Sequence, residues 1–133
     1  MAGKRDVKLD KYNIGRNLYR ELLYFCRQYD EKKAELSSLY QIGATVYSDM
    51  PKGGSTGAPT ESKALRAACL SSDIDMIERA ARRADGEIYA YIIANVTRDR
   101  LPYEYLSVPG GRRNFYEKRR RFFYYLAKEK GMI

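Results

Sequence analysis

The stretch Gly110-Gly111-Arg112-Arg113-Asn114-Phe115-Tyr116-Glu117-Lys118-Arg119-Arg120-Arg121-Phe122-Phe123-Tyr124-Tyr125-Leu126 decides how this chain is read. Two glycines break the backbone, and the residues after them keep helical spacing to about Lys130, where Gly131 can close the helix. On a wheel of about 100° per residue, Phe122, Phe123 and Leu126 fall within about 80° of Phe115, while Arg113, Asn114, Glu117, Arg120, Arg121 and Tyr124 gather on the other side. One face is built to pack and the other to stay in solvent. Arg119 is the exception at about 40° from Phe115, so it is expected to form a structural ion pair with Glu87 or Glu104.

Working outward, Ile88, Tyr89, Ile92, Ile93 and Val96 mark a buried helix of about three turns. Residues 101–107 then read as a short helix, with Pro102 at its first position and Leu101, Tyr105 and Leu106 as its apolar face. Val108-Pro109-Gly110-Gly111 makes a sharp turn. A short helix, a turn and a basic helix, braced by an apolar helix, is a helix-turn-helix over residues 86–133, with the last helix placed to read the major groove.

Toward the N-terminus, Leu18, Leu22, Phe25, Tyr29, Leu36 and Leu39 recur at helical steps, which predicts one helix from Asn13 to about Ile42, ended by Gly43 and roughly 40 Å long. A second stripe, Ala67, Leu70, Ile74, Ile77, Ala81 and Ala84, predicts another helix from an N-cap at Thr60 to Asp85-Gly86. Residues 43–59 between them read as a flexible loop. Folding back, the two helices form an antiparallel hairpin over residues 1–85. The predicted fold is therefore all-α: a helical hairpin followed by a helix-turn-helix.

Composition narrows the chemistry. Of 133 residues, 44% are hydrophobic, enough for a core, and no apolar run is long enough for a membrane span or a secretory signal, so a soluble cytoplasmic protein with no membrane partner is expected. There is no histidine, and the two cysteines, Cys26 and Cys69, lack metal-site spacing, so no metal is expected and both read as buried free thiols. Imidazole-based catalysis is excluded, and the run Gly53-Gly54-Ser55-Thr56-Gly57 lacks the lysine of a phosphate-cradling loop. No catalytic residue or cofactor is expected, and the chain reads as a non-enzyme.

The charge points to a polyanion. Residues 98–133 hold ten Lys/Arg against four Asp/Glu, net +6 of the chain's +8, interleaved with aromatics. Arg112 and Arg113 stand in the first turn of their helix, where the macrodipole disfavours cations by roughly 0.3 to 1 kcal/mol each and a phosphate would reverse the penalty. Double-stranded DNA is the partner this implies. Arg113, Asn114, Glu117 and Arg120 would face base edges, and Arg98, Arg100, Arg112, Tyr116, Lys118, Arg121 and Tyr124 would contact the backbone.

The runs Ile92-Ile93-Ala94-Asn95-Val96-Thr97, Leu101-Pro102-Tyr103-Glu104-Tyr105-Leu106 and 108–126 resemble phage and prophage late transcription regulators of the RinA/ArpU type, and are similar to the promoter-reading module of bacterial sigma factors. Residues 49–67 are similar to the loop and helix that precede this module in small phage proteins. The resemblance implies a sequence-specific DNA-binding regulator encoded by a Gram-positive phage or integrated element, and the hairpin over residues 1–85 is then expected to serve homodimerisation or contact with host RNA polymerase. Two departures stand out: the first helix is unusually brief, and Lys118 and Arg119 occupy positions where a sigma-like reader is apolar. Two alternatives stay open, the small DNA-recognition subunit of a phage packaging terminase, which would form a ring, and a protein-interaction adapter whose basic helix meets an acidic partner.

Overall fold

A computed structural model describes residues 12–49 and 57–133, and the side chains of 12–40 and 61–133. Every regular element among the described residues is helical: α1 Arg16–Arg27, α2 Tyr29–Asp49, α3 Gly57–Ala84, α4 Tyr89–Thr97, a 3-10 turn at Tyr103–Tyr105, and α5 Arg112–Glu129. None of these helices is long and apolar enough to cross a membrane.

The chain divides into two compact units, 29–75 and the remainder, and not at residue 85. In the larger unit α1, α4 and α5 pack on one another. Leu22, Ile92, Val96, Phe115, Phe122, Phe123 and Leu126 are fully buried there. Each such side chain contributes roughly 1.5 to 3 kcal/mol by leaving water. Phe122 meets Phe123 edge-on at 5.1 Å, and Tyr19 of α1 meets Phe123 at 5.0 Å, so α5 is the spine of this core. Its end is closed as the glycine predicts: Gly131 takes φ 72° and the Met132 N–H reaches the Ala127 carbonyl at 2.9 Å. Asp85 Oδ1 accepts the N–H groups of Glu87 (2.7 Å) and Ile88 (3.0 Å), which fixes the entry to α4.

In the smaller unit, α2 and the first part of α3 are joined by ion pairs, Lys32 with Asp73 at 2.8 Å and Arg66 with Glu35 at 2.7 Å. The earlier α2 residue pairs with the later α3 residue, an antiparallel order. Leu36 and Leu39 are only half-buried, and Leu65 is 69% exposed.

Several expectations need correction. The single helix over 13–42 is two helices parted at Gln28, and Asp30 and Glu31 in the first turn of α2 favour a new start there. Gly43 does not end α2, which continues to Asp49, because one glycine costs a helix only about 1 kcal/mol. Of the loop expected at 43–59, residues 43–49 and 57–59 are helical and 50–56 lie outside the described residues, so Thr60 falls inside α3. The short helix at 101–107 is a single 3-10 turn: Pro102 is extended (ψ 167°), so the turn begins only after it, with Tyr105 and Leu106 N–H groups bonding three residues back. Tyr105, expected on its packed face, is 74% exposed.

Candidate nucleic-acid interface

The Phe face of α5 packs as expected, and that packing decides what its other residues can do. Arg120, expected to face a base edge, is only 9% exposed. Its guanidinium meets Glu117 at 2.8 Å, and its Nε is buried without a hydrogen-bond partner. Glu117, the second expected base contact, accepts the Tyr12 hydroxyl at 3.1 Å and lies 3.9 Å from Arg121 Nε. The Tyr12 ring also packs on Tyr124, with centroids 5.3 Å apart and planes tilted by 40°. Both Arg120 and Glu117 are thus engaged within the chain, and a base edge could reach neither without displacing Tyr12 or breaking the pair. The wheel misplaced them because it carries no information about Tyr12, which lies across the middle of α5.

Arg119 corrects the ion-pair expectation. Its partners are neutral: Nε donates to Asn95 Oδ1 at 2.7 Å and a terminal nitrogen to the Tyr19 hydroxyl at 3.3 Å, while the guanidinium lies 5.1 Å from the Phe123 ring centre. Rings and dipoles replace a carboxylate here. Lys118 sits 3.7 Å from Asp85. Burial alone would raise the Asp85 carboxyl, but the Ile88 and Glu87 N–H groups and the Lys118 ammonium together hold it below the ordinary value.

The start of α5 is different. Gly111 precedes it at φ 89° and ψ 163°, no side chain caps the helix, and its first turn has no acid. Arg112 is exposed, bonds Glu104 at 2.6 Å, and lies 5.5 and 5.4 Å from the Tyr103 and Tyr116 rings. The Glu104 hydrogen bond raises its pKa further. Arg113 and Asn114 are exposed on the next positions. Arg98 and Arg100 are exposed on the loop after α4, and Arg121 is exposed on α5. Tyr116 and Tyr124 are half-buried against other rings.

No protein-family model, curated protein or solved structure matches this chain. Its chemistry therefore rests on its own residues.

The outer face of α1 escaped the sequence reading, which took that helix as core alone. Its inner side buries Leu22, Phe25 and Cys26, yet Arg16, Asn17, Arg20 and Tyr24 are all exposed. The spacing 16, 20, 24 was the available signal. Cys69 is exposed, against the expectation that both thiols are buried; Cys26 is buried and both are free. Among the described residues no three Cys, Asp or Glu side chains are grouped to hold a metal ion.

Proposed function

We propose that this chain is a sequence-specific double-stranded DNA-binding protein, a phage or prophage transcription regulator in the bacterial cytoplasm that acts without catalysis. The observation that carries the reading is the start of α5: an uncapped helix end with no acid in its first turn, bearing Arg112, which Glu104 pairs from the preceding turn, and the exposed Arg113 and Asn114. Exposed helix N–H groups and guanidinium groups converge on one kind of ligand, a phosphate. In this reading the 3-10 turn and α5 serve as a reduced helix-turn-helix in which the first turn of α5 leads the approach to DNA. Arg98, Arg100 and Arg121 add backbone contacts. Homodimerisation or contact with host RNA polymerase, as the role of the N-terminal half, belongs to the same proposal. Fluorescence anisotropy with a duplex selected by the protein tests it: Arg113→Ala should weaken binding about tenfold, and an unchanged affinity counts against this end of the helix.

A protein-interaction adapter is the second reading. It is favoured by the engagement of Arg120 with Glu117 and of Arg112 with Glu104, which leaves fewer free cations than the composition suggests. Binding to an acidic protein with no affinity for duplex DNA would select it.

A further inference from the structure

The unassigned feature with the most consistent chemistry is the outer face of α1. Taking Arg20 as origin, Arg16, Tyr24, Asn17 and Gln28 lie within about 80° of it at helical spacing, while Leu18, Leu22, Phe25 and Cys26 occupy the opposite arc. The inner side chains anchor the helix: Leu22 and Cys26 are wholly buried, and the Tyr19 ring and hydroxyl hold Phe123 and Arg119 of α5. The outer residues have no such anchors. Arg16 and Arg20 form no ion pair or hydrogen bond among the described residues, in contrast to Arg112, Arg119 and Arg120 on α5. Tyr24 is 66% exposed. Arg27 and the half-buried Leu23 share this face, about 20° and 60° from Arg20. Two acids border it: Glu21 at its margin, about 100° from Arg20, and Asp99, which pairs with Arg27 at its far end.

We infer that α1, and not the length of α5, is the helix that enters the DNA major groove, through Arg16, Asn17, Arg20 and Tyr24. This rests on the DNA-binding reading above and names the element that reads the sequence. A helix of 12 residues is about 18 Å long and fits a groove about 12 Å wide. Arginine pairs bidentately with guanine O6 and N7, and asparagine with adenine N6 and N7. A solvent-facing tyrosine offers its ring to a thymine methyl or its hydroxyl to a phosphate. The charge is complementary, since α1 has no acid in its first turn and no side chain caps Gly15. The position is compatible with the start of α5: Tyr12 on Glu117 and Tyr19 on Arg119 set the N-terminal half of α1 beside residues 117–119, about one turn from Arg113. Arg112 and Arg113 would then grip the backbone while α1 reads bases. An A-form RNA duplex would not accept the helix, because its major groove is too narrow.

The test uses the full chain. Duplexes are selected from a random pool, and affinities are measured for the selected duplex, an unrelated duplex and the RNA duplex of the selected sequence, with wild type, R16A/R20A, R20K and R112A/R113A. R16A/R20A should lose tenfold or more on the selected duplex and bind both DNAs alike. R20K should keep affinity for unrelated DNA but lose preference for the selected sequence. R112A/R113A should weaken both DNAs by the same factor, and methylation of guanine N7 in the selected site should block binding. If wild type prefers its selected duplex and R16A/R20A, with an unchanged circular dichroism spectrum, keeps that preference within twofold, the assignment of α1 is overturned and DNA binding stands. Equal affinity for the RNA duplex also overturns it. If wild type binds no duplex at low salt, the DNA-binding reading itself fails.

Discussion

Arg120 and Glu117, one turn apart on α5, form a 2.8 Å ion pair that Tyr12 covers by donating its hydroxyl to the same carboxylate. The pair turns what sequence presents as a solvent face into part of the fold. Removing one member should therefore destabilise the protein. Glu117→Ala leaves a buried guanidinium with no carboxylate, and urea unfolding should report a loss of about 2 to 4 kcal/mol, somewhat below the range for fully buried pairs because Glu117 keeps partial exposure. Tyr12→Phe should cost about 1 kcal/mol. A Glu117→Ala protein as stable as wild type would show that the pair is not part of the fold's stability.

The aromatic spine makes a second prediction. Phe122 is fully buried beside Phe123, so Phe122→Ala should lower unfolding free energy by about 3 to 5 kcal/mol. The exposed Tyr105→Ala should stay within about 0.5 kcal/mol of wild type. Comparable losses from both would contradict the placement of the core.

Gly111 sits at φ 89° and ψ 163°, a region that side chains with a Cβ avoid. No neighbouring atom would meet an added Cβ, so the penalty is one of backbone conformation alone. Gly111→Ala should cost about 1 to 3 kcal/mol in thermal or urea unfolding. Full tolerance of alanine would mean that the turn before α5 takes another shape.

Acid stability follows from Asp85 and Glu129. The Ile88 and Glu87 N–H groups and Lys118 hold the Asp85 carboxyl low against its burial, and Arg79, at 3.0 Å, holds Glu129 low. A carboxyl whose native pKa is depressed stabilises the fold above its unfolded value, about 4, and that contribution is lost as pH falls through the native value. Wild type should lose stability below about pH 4, and Asp85→Asn should be less stable at pH 7 but flatter through that window. An identical pH profile would remove Asp85 from the account.

The thiols give a direct check of burial. In the native protein an aromatic disulfide reagent should titrate Cys69 quickly and leave Cys26 unreacted until denaturant is added. Rapid reaction of both would contradict the packing of α1.

These results mark where the sequence was legible. The apolar spacing of Phe115, Phe122, Phe123 and Leu126 gave α5 its bounds and its buried face, because that signal is local and strong. Gly131 closed the helix for the same reason. The break at Gln28 carried no glycine or proline, and the acidic start at Asp30 and Glu31 was outweighed by a stripe that kept phase across it. Residues 101–107 failed as a helix because extended Pro102 delays the start and leaves room for one turn. The candidate site was least legible, since neither the cover of Tyr12 over Glu117 nor the neutral partners of Arg119 can be had from spacing. Tyr12 and Glu117, like Tyr19 and Arg119, stand about a hundred positions apart in the chain. The free face of α1 was legible in principle at 16, 20 and 24, but it shares a helix with a strong core stripe that claimed the reading.

Equilibrium binding of the full chain to a duplex across about 50 to 300 mM salt tests the central claim most directly. A protein neutralising four or five phosphates should give a straight line of log affinity against log salt with a slope of about −4. Absence of binding at the lowest salt, or a flat line, would contradict the account.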